Sequence, residues 1–386
     1  MDLDFDSGEE DRLLRSSARR IGNELVKPFL DRRPPEPLPR PAILELLEML
    51  RPLGIVGARL PAEAGGSGLT HVQLGILYEE LPAEAAMIAS VNDLAAFRIR
   101  LGLHAEVAQR FLPGLIGGQL LAASAISEPD TGSDLGGIRT RAERSGSGYR
   151  ISGAKLWSSG ALAADVFLVT ARLDRGDGEP GAIGTFVVER DRPGIEVRLV
   201  KMLGLERQGI GEVIFGGCLV PGENLVSEAG GGTAVLARSW LSQRATIGLI
   251  GVHLATEALA ASLAYARDRS QFGRPIGGFQ LVQEMLVEMK TLVDTSRFLC
   301  YRALARLDAG HDARYESSVA KYYATEAAVK VTSSAIQVHG ALGLSQEAGL
   351  EKLYRDARML PIPDGTTEIQ KLIAGRELLG ISAIRG

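Results

Sequence analysis

Apolar residues recur every three or four positions over about the first 115 residues, which predicts that this part of the chain is helical. Leu13, Ala18 and Leu25 belong to the first such series. Pro28 is expected to end it, because proline interrupts a helix. Further helices are predicted through residues 44–50, 71–81 and 86–110.

Between residues 119 and 229 the pattern changes to short apolar runs and to alternating apolar and polar residues, with many Gly, Ser and Thr. Such segments are typical of strands bounded by turns. Several short strands at this spacing predict a small barrel or sandwich. The six candidate strands are residues 122–126, 149–151, 166–170, 184–188, 195–199 and 212–215.

Helical periodicity returns after residue 230 and continues to the end of the sequence. Four predicted helices, at residues 240–267, 279–309, 316–338 and 366–379, are enough for an antiparallel four-helix bundle. The sequence therefore predicts an α+β fold in three parts. These are an N-terminal all-α domain at 1–118, a small β-barrel or sandwich domain at 119–229, and the C-terminal bundle at 230–386.

The composition is that of an ordinary globular protein, with 45% hydrophobic residues and a net charge of −4. A nucleic-acid-binding protein needs a strongly basic surface, so this balance argues against such a partner. The N-terminal residues are acidic and lack the apolar core of a signal peptide. No uninterrupted apolar stretch reaches the roughly 18 residues of a membrane span. We expect a cytoplasmic protein that binds neither a membrane nor nucleic acid.

The two cysteines, Cys218 and Cys300, lie far apart in the sequence, so neither a disulfide framework nor a zinc ribbon is supported. We expect both to be buried apolar residues. The five histidines show no metal-ligand spacing, and no metal site is predicted. His339 is interpreted as a packing or cofactor-adjacent residue.

The most informative polar segment, residues 361–370, reads Pro-Ile-Pro-Asp-Gly-Thr-Thr-Glu-Ile-Gln and places the carboxylate of Asp364 on a turn before a helix. Gly365 follows at once and allows backbone and ligand to approach closely. Such a carboxylate suits proton abstraction from a bound carbon acid. An Asp at a helix start more often caps the helix, so the residues alone leave both interpretations open.

The segment at residues 125–134, Ala-Ile-Ser-Glu-Pro-Asp-Thr-Gly-Ser-Asp, resembles the first signature of the acyl-CoA dehydrogenase family of flavoproteins. Further segments resemble the family in the same order and spacing, so the resemblance covers essentially the whole chain. It implies the same order of helical, β and helical domains, with FAD as cofactor. These segments are residues 153–159, 269–276, 279–280, 337–340 and 355–366.

The resemblance also implies roles for individual residues. Beside the flavin ring and the substrate thioester it places Ala125, Ile126, Ser127, Ser133, Trp157, Ser158 and Ser159. In the nucleotide site it places Arg269, Phe272, Gln280, Gln337, Val338, Gly340, Thr366 and Glu368. At the substrate it places Arg244 and Gly365, together with Ser133. In this family Arg269 and Gln280 match residues that reach the FAD of a neighbouring subunit, so a homodimer or homotetramer is expected.

The family reaction removes a proton from the α-carbon of an acyl thioester while a hydride passes from the β-carbon to flavin N5. The base is normally Glu, whereas the matching residue here is Asp364, one methylene shorter. Some branches carry the base immediately before the residue that matches Arg244, but that position is Gln243, which cannot act as a base. An Asp in this place also resembles the nitroalkane oxidase branch, so Asp364 is the expected base.

These observations predict an FAD-dependent dehydrogenase that passes electrons to an electron-transfer flavoprotein or another acceptor. The shorter base favours a short or polar acyl group on acyl carrier protein or CoA. One example is a hydroxylated three-carbon unit in polyketide extender-unit biosynthesis. The alternatives are a fatty acyl-CoA dehydrogenase of β-oxidation, an oxidase of the same fold that uses O₂, and a flavin-loaded protein associated with DNA.

Overall fold

The computed structural model describes residues 8–102, 104–174, 181–227 and 231–383. The predicted boundary at 229/230 lies outside these residues, as do both ends of the chain. The described chain forms a helical part, a β part and a second helical part, in the order predicted from the apolar periodicity. The predicted α+β fold class is confirmed.

Six α-helices build the N-terminal part as far as the structure describes it. They are α1 (Glu9–Ile21), α2 (Lys27–Asp31), α3 (Arg40–Leu50), α4 (His71–Glu80), α5 (Ala83–Leu101) and α6 (Ala105–Ile116).

Two predictions in the N-terminal part are wrong. Pro28 does not end the first helical run, because a π-helical turn, Gly22–Val26, leads into α2. Pro28 stands in the first turn of α2, where its missing N–H costs no helical hydrogen bond. The predicted helix at 86–110 is two helices, since α5 ends before Gly102. A Cβ at Gly102 would lie 2.4 Å from the carbonyl oxygen of Val226, so the close approach of the β domain requires glycine.

Eight strands lie in the described residues of the β part. They are β1 (Ala122–Ala125), β2 (Arg141–Ser145), β3 (Gly148–Ser158), β4 (Val166–Leu173), β5 (Ile183–Glu189), β6 (Ile195–Leu199), β7 (Gly211–Pro221) and β8 (Leu225–Ser227). Their order in the sheet is β6-β7-β3-β2-β4-β5-β8, with β1 parallel to β4. Every predicted strand corresponds to an observed one, but β2 and β8 were not predicted. Only Ala142 is buried in β2, so its apolar pattern is weak, and β8 has three residues.

The C-terminal part contains the four predicted bundle helices and a two-stranded hairpin formed by β9 (Ser270–Gln271) and β10 (Arg274–Pro275). The bundle helices are α7 (Gly231–Asp268), α8 (Gln280–Asp308), α9 (Arg314–His339) and α12 (Thr367–Leu379). The two shorter helices α10 (Ala341–Leu344) and α11 (Leu350–Met359) were not predicted.

Helix α7 is the central helix of the bundle and packs against α4, α5, α8 and α9. By length and composition it is apolar enough to cross a membrane, but 61% of its apolar window is buried inside the protein. Its apolar residues therefore serve the core. Cys218 and Cys300 are both buried free thiols, as expected.

Candidate active site

Asp364 lies on the turn between α11 and α12, with a left-handed backbone (φ +53°). Few residues other than glycine adopt this conformation, and Asp is among those that do so most readily. Gly365 follows with φ +97°, and a Cβ there would lie 2.4 Å from the Nε2 atom of Gln370. The turn thus requires glycine after the carboxylate, because a side chain would be strained and would collide with Gln370.

Two fully buried side chains hold this turn by its carbonyl oxygens. The Nζ atom of Lys321, on α9, donates to the carbonyls of Pro361 at 2.7 Å and Gly365 at 2.8 Å. The Nε2 atom of Gln370 donates to the carbonyls of Asp364 at 2.9 Å and Gly365 at 3.1 Å. These bonds fix the backbone from which the Asp364 carboxylate projects.

Thr366 is the N-cap of α12, since its hydroxyl accepts a hydrogen bond from the backbone N–H of Ile369 at 3.4 Å. The capping interpretation of Asp364 therefore loses its main support, because the position and the bond of a cap belong to Thr366. Asp364 is half-buried and is left available for another role.

Four buried cations lie within electrostatic reach of Asp364. Burial lowers the pKa of Arg98 to about 10 and that of Lys321 to about 8, and the negative charge of Asp364 opposes both shifts. Burial also lowers the pKa values of Arg59 and Arg244, again opposed by Asp364. The negative charge of Asp364 thus acts on all four of these buried cations.

Arg59 is neutralised by an internal partner. Its guanidinium forms a buried ion pair with Asp93, and both side chains are almost inaccessible to solvent. It also donates to the hydroxyl of Ser242 at 3.0 Å and to the amide oxygen of Gln243 at 3.1 Å. Gln243 thus has a structural hydrogen bond at the position where other branches are expected to carry a base.

Arg98 and Arg244 differ from Arg59 in their partners. Arg98 donates to two hydroxyls, Ser239 at 2.9 Å and Ser124 at 2.7 Å, so it joins α5 to α7 and to β1. The Nε atom of Arg244 is buried and has no hydrogen-bond partner in the described structure. Its guanidinium carbon lies 5.9 Å from the ring centre of Trp240.

The first signature segment is fixed to β3 by a buried ion pair. Lys155 donates to Glu128 at 2.9 Å and to the carbonyl oxygen of Ile126 at 2.9 Å. Burial opposes ionisation of Glu128, but hydrogen bonds from Thr140 and Lys155 outweigh it and lower its pKa to about 2. The backbone N–H of Leu156 donates to the carbonyl of Ser127. The segment and the end of β3 are therefore held side by side.

Trp157 lies on β3 at a register shift in the pairing with β7, with φ +65° and 53% of its surface exposed. A positive φ is rare for an aromatic residue, and strained backbone of this kind concentrates at functional sites. The hydroxyl of Ser158 beside it is buried and has no hydrogen-bond partner among the described residues, and Ser159 is half-buried. An exposed flat ring next to an unsatisfied hydroxyl group could hold a planar aromatic ligand.

The remaining predicted nucleotide residues form a second group at the far end of α7. Arg269, Phe272 and Gln280 are exposed around the β9–β10 hairpin, and Phe272 is 94% accessible. Gln337 and Gly340, at the end of α9, are exposed as well. The rings of Tyr265 and His339 stack at 4.2 Å and join the ends of α7 and α9.

The other predicted residues differ in how far their side chains are exposed. The side chain of Val338 is buried in the bundle, which leaves only its backbone for a ligand. Glu368 is exposed on the first turn of α12, near Thr366, and Ser133 is exposed in the loop after β1. Ala125 is fully buried at the end of β1, while Ile126 and Ser127 are half-buried.

The two groups of predicted residues lie far apart within one chain. Arg244 and Arg269 are 25 positions apart on and just beyond one continuous helix, a rise of roughly 37 Å. Asp364, Gly365 and Arg244 come together, and so do Ser127 and Trp157 through β1 and β3. The structure does not bring Arg269, Phe272 or Gln280 to that site within one chain.

Sequence reasoning missed four charged residues of this site, Arg59, Asp93, Arg98 and Lys321. A signal was present, because Asp93 and Arg98 interrupt the apolar run of α5, and Lys321 stands among small apolar residues of α9. Charged residues are almost never fully buried unless they are paired or functional, so such interruptions mark candidates.

Comparisons with known proteins agree with this arrangement over the whole chain. Family models described as the acyl-CoA dehydrogenase N-terminal, middle and C-terminal domains match residues 8–119, 123–218 and 230–379. The probable acyl-CoA dehydrogenase FadE25 of Mycobacterium tuberculosis is 34% identical over 340 residues, covering 87% of each chain.

Solved structures are similar as well. Butyryl-CoA dehydrogenase from Megasphaera elsdenii superposes with a TM-score of 0.89 at 28% identity, covering 98% of this chain and 100% of that one. The FAD complex of PigA superposes with a TM-score of 0.90 at 26% identity, covering 97% of this chain and 99% of that one.

Proposed function

The chain belongs to the acyl-CoA dehydrogenase family of FAD-dependent oxidoreductases, and from that membership we propose that it oxidises a short or polar acyl thioester with Asp364 as the base. The observation that carries this proposal is the Asp364 turn. Its backbone is held by Lys321 and Gln370, and its carboxylate faces four buried cations. A side chain fixed in this way is suited to proton transfer.

The described residues fit FAD as the cofactor. Trp157 offers an exposed ring on strained backbone, and the buried hydroxyl of Ser158 has no partner in the described protein. The residues that would line the flavin ring are Ala125, Ile126, Ser127, Ser133, Trp157, Ser158 and Ser159. Those that would hold the nucleotide are Arg269, Phe272, Gln280, Gln337, Val338, Gly340, Thr366 and Glu368.

The nucleotide residues imply an assembly. Because Arg269 and Gln280 lie far from Asp364 within one chain, they would serve the cofactor of a neighbouring subunit in a homodimer or homotetramer. A guanidinium suits paired phosphates through charge-assisted hydrogen bonds. The site would therefore be completed only when two copies of the chain meet.

Asp364 removes the proton from the α-carbon of the bound thioester. Lys321 and Gln370 keep its backbone in place, so the carboxylate need not reorganise when the substrate arrives. Arg244, next to Gln243 on α7, faces the same carboxylate and stabilises negative charge there. Bound FAD supplies the acceptor for the two electrons that leave the substrate.

The polar surroundings of Asp364 favour a short or polar acyl group over a long fatty chain. A hydrocarbon chain placed against Arg98 and Lys321 would add no polar group to the neutral hydroxyl and carbonyl oxygens that these buried charges contact. Such a group could be carried by CoA or by acyl carrier protein, for example a hydroxylated three-carbon unit of polyketide extender-unit biosynthesis. An electron-transfer flavoprotein or a similar protein would reoxidise the enzyme.

Anaerobic titration of the purified yellow protein tests this function. Loss of flavin absorbance would be followed with butyryl, octanoyl and glyceryl thioesters, each on CoA and on acyl carrier protein. We expect rapid bleaching by short or polar thioesters and slow bleaching by octanoyl-CoA. Absence of bleaching by every thioester would refute the proposal, and catalytic peroxide formation in air would favour an oxidase instead.

A further inference from the structure

The buried arginines of this protein fall into two kinds. Arg59 and Arg207 each have a carboxylate partner inside the fold, Asp93 and Glu84 respectively. Arg98 and Arg244 are equally buried, at 3% and 8% exposure, but no carboxylate of the described residues forms an ion pair with either. A buried charge without an opposite charge nearby is unfavourable in free energy. An anion from a bound ligand would therefore stabilise Arg98 and Arg244.

The charge of Asp364 alone does not balance the charges of Arg98 and Arg244. It is the one carboxylate of the described residues whose charge acts on the pKa of Arg98 or Arg244, and its charge also acts on Arg59 and Lys321. Arg59 is already paired with Asp93, and Glu326 and Glu368 also act on Lys321, so Arg98 and Arg244 share only the single negative charge of Asp364.

Arg98 and Arg244 can each donate further hydrogen bonds beside the proposed active site. Arg98 is held by the neutral hydroxyls of Ser239 and Ser124, and Ser124 directly precedes the segment that begins at Ala125. Arg244 has a buried Nε without a partner. Hydroxyl partners fix the orientation of a guanidinium without neutralising it, so its charge stays available to a ligand.

We propose that Arg98, together with Arg244, binds a carboxylate carried by the acyl group, so that the substrate is the thioester of a short dicarboxylic acid. This inference rests on the function proposed above and narrows its substrate class. A carboxylate matches the planar guanidinium and restores the charge balance of the site. A hydroxylated but neutral acyl group would leave the excess positive charge in place.

Matched pairs of thioesters test the inference. Succinyl is compared with butyryl, and glutaryl with pentanoyl, on both CoA and acyl carrier protein, by anaerobic flavin bleaching of the FAD-loaded enzyme. We expect kcat/KM to favour the carboxylated member by roughly 100-fold, because hydrogen bonds to charged groups contribute strongly when buried. Arg98→Met should lower that preference by roughly 10- to 100-fold.

Arg100→Met is the matched control, since Arg100 is exposed two positions further along the same helix. It should leave the preference unchanged. Arg98→Lys keeps the charge and should retain part of the preference. FAD content and the thermal midpoint of each variant show whether it is folded. An equal response to both members of each pair, or a preference that survives Arg98→Met in a folded enzyme, overturns the inference.

A binding measurement separates this inference from the proposed function. Carboxyalkyl and alkyl thioethers of CoA cannot be oxidised as thioesters, and their affinities for the holoenzyme can be compared by calorimetry. Tighter binding of the carboxyalkyl form that depends on Arg98 supports the anion site even if no thioester bleaches the flavin. Equal affinities overturn the inference while the dehydrogenase function still stands if neutral thioesters bleach.

Discussion

The residues at the two ends of α7 differ in burial and in hydrogen bonding. Near its N-terminal end Ser239, Ser242 and Gln243 are buried and hydrogen-bonded to arginines from other elements. Just beyond its C-terminal end Arg269 is exposed, and its side chain forms no ion pair or hydrogen bond within the described residues. The side chains of the first region are held by contacts within one chain, whereas that of Arg269 is open to solvent.

This difference separates the residues proposed for the chemical step from those proposed for cofactor retention and subunit assembly. The region around Asp364 needs a rigid backbone, and the chain supplies it through buried donors on α9 and α12. In the proposed assembly, the side chains around Arg269 would acquire a role only when a cofactor and another copy of the chain are bound. Substitutions at the first end should change rates, and substitutions at the second should change cofactor retention.

The largest expected effect comes from removing the base. Asp364→Asn should slow flavin bleaching by roughly 10²- to 10⁴-fold, the usual contribution of a positioned general base. FAD content should stay at the wild-type level, because Asp364 belongs to the chemical region. Stopped-flow absorbance measures the rate. Bleaching of the Asn variant at the wild-type rate would remove Asp364 from the mechanism.

A second prediction concerns the support of the signature segment. Glu128→Gln leaves Lys155 buried without its partner and should reduce the free energy of unfolding by about 3 kcal/mol at pH 7. The pKa of Glu128 is lowered to about 2, so its stabilisation is present above pH ~4.5 and is lost as the pH falls towards 2.

Urea titrations between pH 2 and 7 measure this effect. The variant should show a shallower loss of stability below pH ~4.5 than the wild type. Glu143→Gln, on the exposed side of β2, is the control and should change little. An unchanged acid slope in Glu128→Gln would contradict the assigned ion pair.

Lys321 is a positioning residue, because its hydrogen bonds to the Asp364 turn are made to backbone carbonyls and not to the carboxylate. Lys321→Met should lower kcat by up to about 100-fold, since misplacing a catalytic group by ~1 Å costs about that much. KM should change little. Lys330→Met, on an exposed face of the same helix, is the matched control. A rise in KM at unchanged kcat would show that Lys321 binds substrate instead.

The smallest effect is expected at the other end of α7. Arg269→Gln should weaken FAD binding about tenfold, the contribution of one charge-assisted hydrogen bond. The bleaching rate of the FAD-saturated enzyme should stay close to that of the wild type. Arg267→Gln, also exposed, is the control. Slower flavin bleaching by Arg269→Gln at full FAD occupancy would show that this end of α7 also affects the chemical step, contrary to the proposed division of roles.

Much of the fold could be predicted from the sequence, because the apolar period changes from helical to alternating and back. The details that failed depend on tertiary contacts. Gly102 ends α5 because the backbone of Val226 approaches it, and no local pattern records that approach. The π-helical turn before Pro28 likewise leaves no trace in the apolar spacing.

The candidate carboxylate could be picked out from the sequence, but the residues that hold its turn could not. Asp364 stood out by its neighbours in the chain, whereas Lys321 is 40 positions from Pro361 and meets it only in the folded bundle. Thr366, two positions after Asp364, takes the capping role that the sequence left open between them. The buried charges of α5 were visible as interruptions of an apolar run, yet their partners were not.

Removal of the α-proton by Asp364 is the central step of the proposed reaction, and it can be measured apart from oxidation. Thioesters of 3,3-dimethylbutyrate and 3,3-dimethylglutarate carry no hydrogen on the β-carbon, so they cannot be oxidised there. In D₂O, NMR should show that the FAD-loaded enzyme exchanges the protons between that carbon and the thioester carbonyl. Asp364→Asn should not. Equal exchange by both proteins, or none by the wild type while ordinary thioesters bleach its flavin, would contradict the account.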